Sequence, residues 1–474
     1  MSKKAALAKQ FFVALALLAG ATRAADTKSG AEKLVTAEDA GMRAMQSSYA
    51  ARAADASLKA AAARVDQAWS SFLPRLTASY SYTRLSPMTA PTLLPAGVTI
   101  ATTDPVGTVN PNTVVVPTPA FSFPILLDNH ALVGQIVVPI SDYFFRISQS
   151  YTAASQAQEA ARHDARAARA KAYADGVMTY YSWLRARGAV TVAEQALKDQ
   201  QQHLKDAKQL FTAGMASKAD MLRAETGVAS AELQVERTRN LATLTEAQLR
   251  LALHEPATVS LRPADEISAP GVLPTTDLPT AVAHAEKARP ELLALDANVR
   301  ALRKQAQAAR GVYYPQIAGV GNITYASPNQ RRIPQTNEWF PTWAVGVQAS
   351  WSPNDIFTGA ADGSNAAARA DALANQAETA KQGIELEVTQ AHQSVGEARV
   401  ALDASARQIA AAEEAYRVAH ELYINGRATS TLLTDAETDL TRARLDRLNS
   451  LVDSHVARVR LEHATGEDAA KLKL

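Results

Sequence analysis

The 474-residue chain contains no cysteine. That absence removes disulfides, thiol catalysis and thiolate metal sites, and it leaves no N-terminal cysteine for lipid attachment. An excess of charge is missing too: 49 Lys and Arg stand against 47 Asp and Glu, a formal net charge of +2. So small an imbalance gives no electrostatic footprint for nucleic acid. Beyond the first twenty residues, no apolar run reaches the roughly 18–20 residues of a membrane helix. Catalytic constellations are also lacking. The nine histidines are scattered. His455 and His463 sit eight apart, a poor spacing for chelation on one helix. His163 and Asp164 belong to a charged helix face, and Glu413-Glu414 fits a solvated pair. No Ser-His-Asp set has a supporting turn. The expectation is a chain with no cofactor, no metal and no enzymatic activity.

What is present begins with a leader. Lys3, Lys4 and Lys9 precede a short apolar core, Phe11 to Ala19, and small-residue cleavage sites follow at Ala21 and Ala24. This pattern predicts a signal peptide over residues 1–24, cleaved after residue 21 or 24. The mature chain would be exported without a helical span.

The mature chain is built twice. The run from Leu210 to Ser217 returns as Leu422 to Thr429, 212 positions later. Ala224-Glu225-Thr226 returns as Ala436-Glu437-Thr438 at the same offset. Fixed-period self-similarity constrains architecture more than any one motif. The first repeat spans 25–253, with helix 38–71, strands 76–84 and 131–140, and helices 148–211 and 217–253. A Pro-rich linker over 254–279 reads as having little regular structure. The second repeat spans 280–466, with helix 280–311, strands 316–325 and 342–352, and helices 364–424 and 430–466. Residues 467–474 form a tail.

Pro74 and Pro315, 241 positions apart, end the first helix of each copy. Strands follow. From Leu76 to Thr83, apolar even positions alternate strictly with hydroxylic odd positions. Leu132, Gly134, Ile136 and Val138 alternate with a mixed face, as do Trp343, Val345, Val347, Ala349 and Trp351. Each strand is about the 9–11 residues that cross a bilayer when tilted. Tyr80, Tyr82, Trp343 and Trp351 near the strand ends suit membrane-interface girdles; an ordinary half-buried soluble sheet gives the same alternation. The segment from Arg84 to Asn129 is rich in Pro, Thr and Val and has no period.

The long helices carry heptads. Val190, Leu197, Leu204 and Phe211 match Leu402, Ile409, Tyr416 and Tyr423, and Val388 and Val395 extend the second series. A sustained heptad implies coiled-coil packing. Ser148 to Phe211 contains no proline and would be about 95–100 Å long as one helix. Gly214 and Gly426 suit left-handed C-terminal caps, and Ser217 and Thr429 suit N-caps.

Four strands cannot close a membrane barrel, because open edges would leave unpaired backbone groups in lipid. Three chains would give twelve strands and a continuous ring of helices. In this duplicated order, with Phe72-Leu73-Pro74, Tyr314-Pro315, Arg289-Pro290-Glu291-Leu292 and the two glycine turns, the chain resembles the TolC family of outer-membrane efflux proteins. The resemblance implies an α+β membrane protein: a homotrimer with a twelve-stranded outer-membrane β-barrel, continued by a long periplasmic α-helical barrel. It further implies a passive exit duct in the outer membrane of a Gram-negative cell. Its partners would be a periplasmic adaptor and an inner-membrane transporter of the RND, ABC or MFS type. Adaptor docking would fall on Gly214, Met215, Ala216, Gly426, Arg427 and Ala428. Asp435 stands where a family gate carboxylate occurs, and Leu432 replaces a second acidic residue found in some relatives. Two other functions fit the residues: an exported coiled-coil scaffold without a pore, and a channel dedicated to type I protein secretion.

Overall fold

The structure is a computed structural model. It describes residues 33–88, 92–94, 96–101, 114–119, 121–122, 125–264, 267 and 269–471. The expected leader, 1–24, lies outside the described residues, as do 25–32 and 472–474.

The chain divides into two compact units, and they do not coincide with the two repeats. One comprises Met1–Ser48, Ala170–Thr275 and Ala391–His463; the other comprises Tyr49–Arg169, Thr276–Gln390 and Ala464–Leu474. Each draws segments from both copies. The long helices pass from one unit into the other along the chain.

In the first unit, strand β1 (Lys33–Val35) leads into helix α1 (Ala37–Ser47). Thr36 caps α1 by accepting the Asp39 N–H at 3.0 Å. Most of helix α3 (Ser148–Thr212) and all of α4 (Lys218–Leu253) belong here. So do strand β8 (Leu261–Pro263), the later part of α7 (Pro353–Ile424) and nearly all of α8 (Ser430–Thr465). The segment 254–279, expected to have little regular structure, contributes only the three-residue β8, which pairs in parallel with β1. The core is Val35, Tyr180, Trp183, Leu249 and Val452, all fully buried, with Val177, Leu253 and Leu261 beside them. Gly176 permits the close approach of α1. A Cβ there would stand 2.5 Å from the Ala44 Cβ and 2.8 Å from the Ala40 carbonyl.

Glu255, just after α4, ties β1 and α1 to this unit. It accepts from the Lys33 ammonium and, at 3.1 Å, from Arg43. The Lys33 hydrogen bond, followed by the Lys33 and Arg43 charges, holds its carboxyl below the ordinary value of 4.5. A depressed folded-state pKa stabilises the fold above that value, and the contribution is lost as pH falls through the shifted value. Glu255→Gln is therefore expected to flatten the loss of stability below pH 4.5. Thermal melts of variant and parent at several acidic pH values check this; parallel curves would rule it out.

The second unit holds helix α2 (Tyr49–Ser70), the strands β2 (Arg75–Arg84), β7 (Asp128–Val138), β9 (Gln316–Ser327) and β10 (Phe340–Ser350), and helices α5 (Leu278–Ala288) and α6 (Pro290–Ala309). The tail contributes helix α9 (Glu467–Lys471). Sheet order is β10-β9-β7-β2, every pair antiparallel. A lead-in (Ile140–Asp142) and one π-turn (Tyr143–Ile147) join β7 to α3. The segment 84–129, read as aperiodic, carries two small ribbons. Strand β3 (Thr92–Leu94) pairs β6 (Phe121–Ser122), and β4 (Gly97–Ala101) pairs β5 (Val114–Thr118).

Three helix boundaries differ from the expectation. The helix over 38–71 breaks at Ser48, and the helix over 280–311 breaks at Arg289, where ψ is 125° and 117° respectively. These breaks lie 241 positions apart, so they repeat like the prolines. At Arg289 the cause is Pro290, which excludes the helical conformation from the residue before it; Ser48 carries no such signal. Helix α7 starts at Pro353, eleven residues before 364, because a proline at the first position of a helix loses no hydrogen bond.

Arg289 locks its break. Its guanidinium grips Glu387 through two hydrogen bonds of 3.2 Å, and it also holds Glu291 at 3.1 and 3.3 Å and the Ala464 carbonyl at 3.4 Å. Two parallel N–H to carboxylate bonds need arginine's planar fork. Arg289→Lys keeps the charge and loses the fork. It is expected to cost about 1.5–3 kcal/mol, the worth of hydrogen bonds to charged groups. An unchanged denaturation midpoint would count against the clamp.

Candidate functional site

The two hairpin turns are built alike. Gly214 and Gly426 take left-handed backbones, φ +75° and +70°. The Met215 N–H donates to the Leu210 carbonyl and the Arg427 N–H to the Leu422 carbonyl, each at 2.8 Å. This bond closes a Schellman turn. No atom lies within 4 Å of a Cβ built on Gly214. Backbone conformation, rather than space, favours glycine there. The chain restarts on caps. Ser217 and Asp220 exchange bonds in a capping box, and the Thr429 hydroxyl accepts the Leu432 N–H at 3.3 Å.

The turns lie together. The Met215 Cε stands 3.9 Å from a Cβ built on Gly426, and Arg223 donates to the Thr431 hydroxyl at 3.3 Å. Gly214, Met215, Gly426 and Arg427 are exposed, while Ala216 and Ala428 pack on a small core of Leu210, Ala419, Tyr423 and Leu433. Six residues from distant parts of the chain thus form one patch. Leu432 and Asp435, one turn apart on α8, share an exposed face. Leu433 and Glu437 are buried on the same helix. The Asp435 carboxylate has no partner among the described residues.

Beneath the turns is a buried polar cluster that sequence reasoning missed. His203 on α3 is 1% exposed and Glu437 on α8 is 4% exposed. His203 Nδ1 lies 3.1 Å from Glu437 Oε2, which also accepts from Gln200 at 2.8 Å. His203 Nε2 lies 3.3 Å from the Ser430 hydroxyl. On α3 and α7, Asp206 Oδ2 lies 3.0 Å from His420 Nε2. Asp199 accepts from Arg444 on α8 at 2.8 Å. Burial, with the nearby carboxylates of Asp199 and Glu437 adding, pushes the Tyr416 phenol up to about 12. All these ties join α3 of the first copy to α7 and α8 of the second. A signal for them existed: at the repeat offset, His203 and Asp206 correspond to Ala415 and Val418. Those two counterparts are exposed, whereas His203 and Asp206 are buried, so the polar pair belongs to one copy's packing alone. Residues singled out as unsuited to catalysis have ordinary structural ties. Glu414 pairs with Arg417, and His455 lies against Tyr181 and the Ala269 carbonyl.

The sheet has two chemically distinct faces. Cross-strand register puts Leu76, Ala78, Tyr80 and Tyr82 with His130, Leu132, Gly134 and Ile136. The same face carries Gly321, Ile323 and Tyr325, then Trp343, Val345 and Val347. This face is apolar, yet Val345, Trp343 and Leu76 are 79%, 73% and 73% exposed. An exposed apolar surface of this extent requires a cover. Aromatics bound it: Tyr80, Tyr82, Tyr325 and Trp339 at the loop end, Phe144, Tyr314 and Trp351 at the helix end. The opposite face carries Thr77, Ser79, Ser81, Thr83, Gln135, Asn322, Thr324, Thr342 and Gln348. Among the described residues, no helix is long and apolar enough to cross a membrane.

The fold is that of outer-membrane channels. The channel OprN matches at 21% identity, covering 91% of this chain and 89% of that one, with a TM-score of 0.72. CusC matches at 16% identity, with 93% of each chain covered and a TM-score of 0.72. The open state of the Neisseria gonorrhoeae MtrE outer-membrane channel matches at 18%, covering 91% and 88%, with a TM-score of 0.71. The sequence profile described as "Outer membrane efflux protein" matches residues 40–254 and 281–467, and the chain belongs to that family. No curated protein matches it.

Proposed function

We propose that the chain supplies one third of an outer-membrane exit duct that conducts cargo from the periplasmic side to the exterior. One observation carries this. The four strands form a single antiparallel sheet whose outer strands, β2 and β10, each keep an open edge. Along that sheet β2, β7, β9 and β10 alternate in direction, so β10 of one copy meets β2 of the next antiparallel. Three copies close a twelve-stranded ring with lipid against the apolar face and water against the polar one. This arrangement covers the exposed apolar surface, which a pore-free scaffold would leave bare. The paired turns form the docking patch for a periplasmic adaptor, which couples the duct to an inner-membrane pump. The pump selects the cargo. Three copies of Asp435, with Leu432 beside them, ring the periplasmic mouth, where like charges attract cations and resist anions.

The test is extraction and mass. The protein should leave membranes only with detergent and run as a trimer by native mass spectrometry. Deleting its gene should sensitise cells to toxic compounds. A water-soluble monomer would overturn the proposal.

A further inference from the structure

Resting on that closed ring, we infer that neighbouring copies meet in one register, Arg75 of one opposite Ser350 of the next, and that Arg75 there pairs with Asp355 of the partner subunit. Three observations lead to this. The first is facing. Polar residues occupy odd positions of β2 and even positions of β10, so only odd-to-even pairings keep both faces intact.

The second is stagger. Within the sheet, the ladder row through Arg75 runs to Val137, Val320 and Gly346. Strand β10 continues past that row to Ser350. Setting Arg75 opposite Ser350 advances the register by four residues for every four strands. At 3.3 Å per residue and 4.8 Å per strand this slope is a tilt of about 35°, within the range for closed barrels. A partner two residues earlier, Gln348, gives only about 19°. Two residues later is Ser352, past the strand's end. The chosen register pairs all of β2, ending with Arg84 opposite Pro341.

The third is charge. Arg75 is the one charged residue on the polar face of the four strands among the described residues. It is exposed and has no partner among them. Asp355, in the first turn of α7, is exposed, and its carboxylate is equally unpartnered among the described residues. It lines a small cavity with Gln316 and Ser350. Opposite charges thus stand at the helix-side ends of the two open edges. The register brings them together.

The cysteine-free chain makes the test clean. Thr77→Cys with Gln348→Cys places thiols directly opposite each other across the seam. Thr77→Cys with Ala344→Cys is the untilted register and serves as control. Within one chain these edges are about 14 Å apart, beyond disulfide reach. Mild oxidation of the detergent-solubilised oligomer should link the first pair into covalent rings on non-reducing denaturing gels and leave the control unlinked. Linking of the control pair instead, or of neither pair in an oligomer shown intact by native mass spectrometry, overturns the register while the ring stands. Absence of any oligomer before oxidation overturns the ring and the register with it. Separately, Arg75→Asp and Asp355→Arg should each lower the oligomeric fraction several-fold, and the double exchange should restore it. Additive loss in the double variant overturns the ion pair.

Discussion

Val345→Arg should abolish stable assembly in the outer membrane, whereas Gln348→Arg, three residues away on the other face, should be tolerated. Val345 lies near the middle of β10, opposite Gly321, and is 79% exposed on the apolar face. An arginine on the lipid face costs about 2–4 kcal/mol near the bilayer midplane. Threefold repetition multiplies that to about 6–12 kcal/mol per ring, comparable to the whole stability of a typical fold. On the water-filled face the same side chain stays hydrated and costs little. The measurement is the amount of heat-resistant oligomer in membrane fractions. Equal loss from both variants would mean that the two faces do not differ in their surroundings.

The second large effect is expected at the turns. Gly214→Val with Gly426→Val should eliminate export while leaving the oligomer intact. At φ +75° and +70° a β-branched residue is strongly disfavoured, so both Schellman turns must rearrange. With no neighbour near the Gly214 Cβ position, a clash does not explain the loss. Asparagine tolerates this backbone region, so Gly214→Asn with Gly426→Asn should retain export. Drug susceptibility of complemented deletion strains reads the outcome, and native mass spectrometry confirms assembly. Full resistance in the valine variant would remove the turns as a docking patch.

Periodicity made much of this fold legible. Strict alternation from Leu76 to Thr83 marked β2 and its two faces. The absence of proline from Ser148 to Phe211 marked α3, and each glycine followed by Ser or Thr marked a turn. Features without a period escaped. The break at Ser48 has no proline to announce it, although its counterpart at Arg289 does. Strand β8 is three residues long, too short for any alternation. The start of α7 was hidden by a run of Gly, Asp and Asn after Pro353, poor helix formers that packing overrides. The candidate gate and docking residues came from resemblance alone, and the structure adds their mutual placement. The buried pair of His203 and Glu437 escaped because it joins the two copies: Glu437 has a counterpart in the first copy, Glu225, whereas His203 has only Ala415 in the second.

That division of partners has an evolutionary consequence. Two equal halves once joined can drift apart only while neither depends on the other. Here the second half retains an acid, Glu437, whose basic neighbour stands in the first half. In a ring assembled solely from second halves, Ala415 would occupy the position of that neighbour and the carboxylate would be stranded in a dry interior. A ring built solely from first halves would keep the tie, since Glu225 stands where Glu437 does, so the two halves are no longer interchangeable: only the first carries both partners.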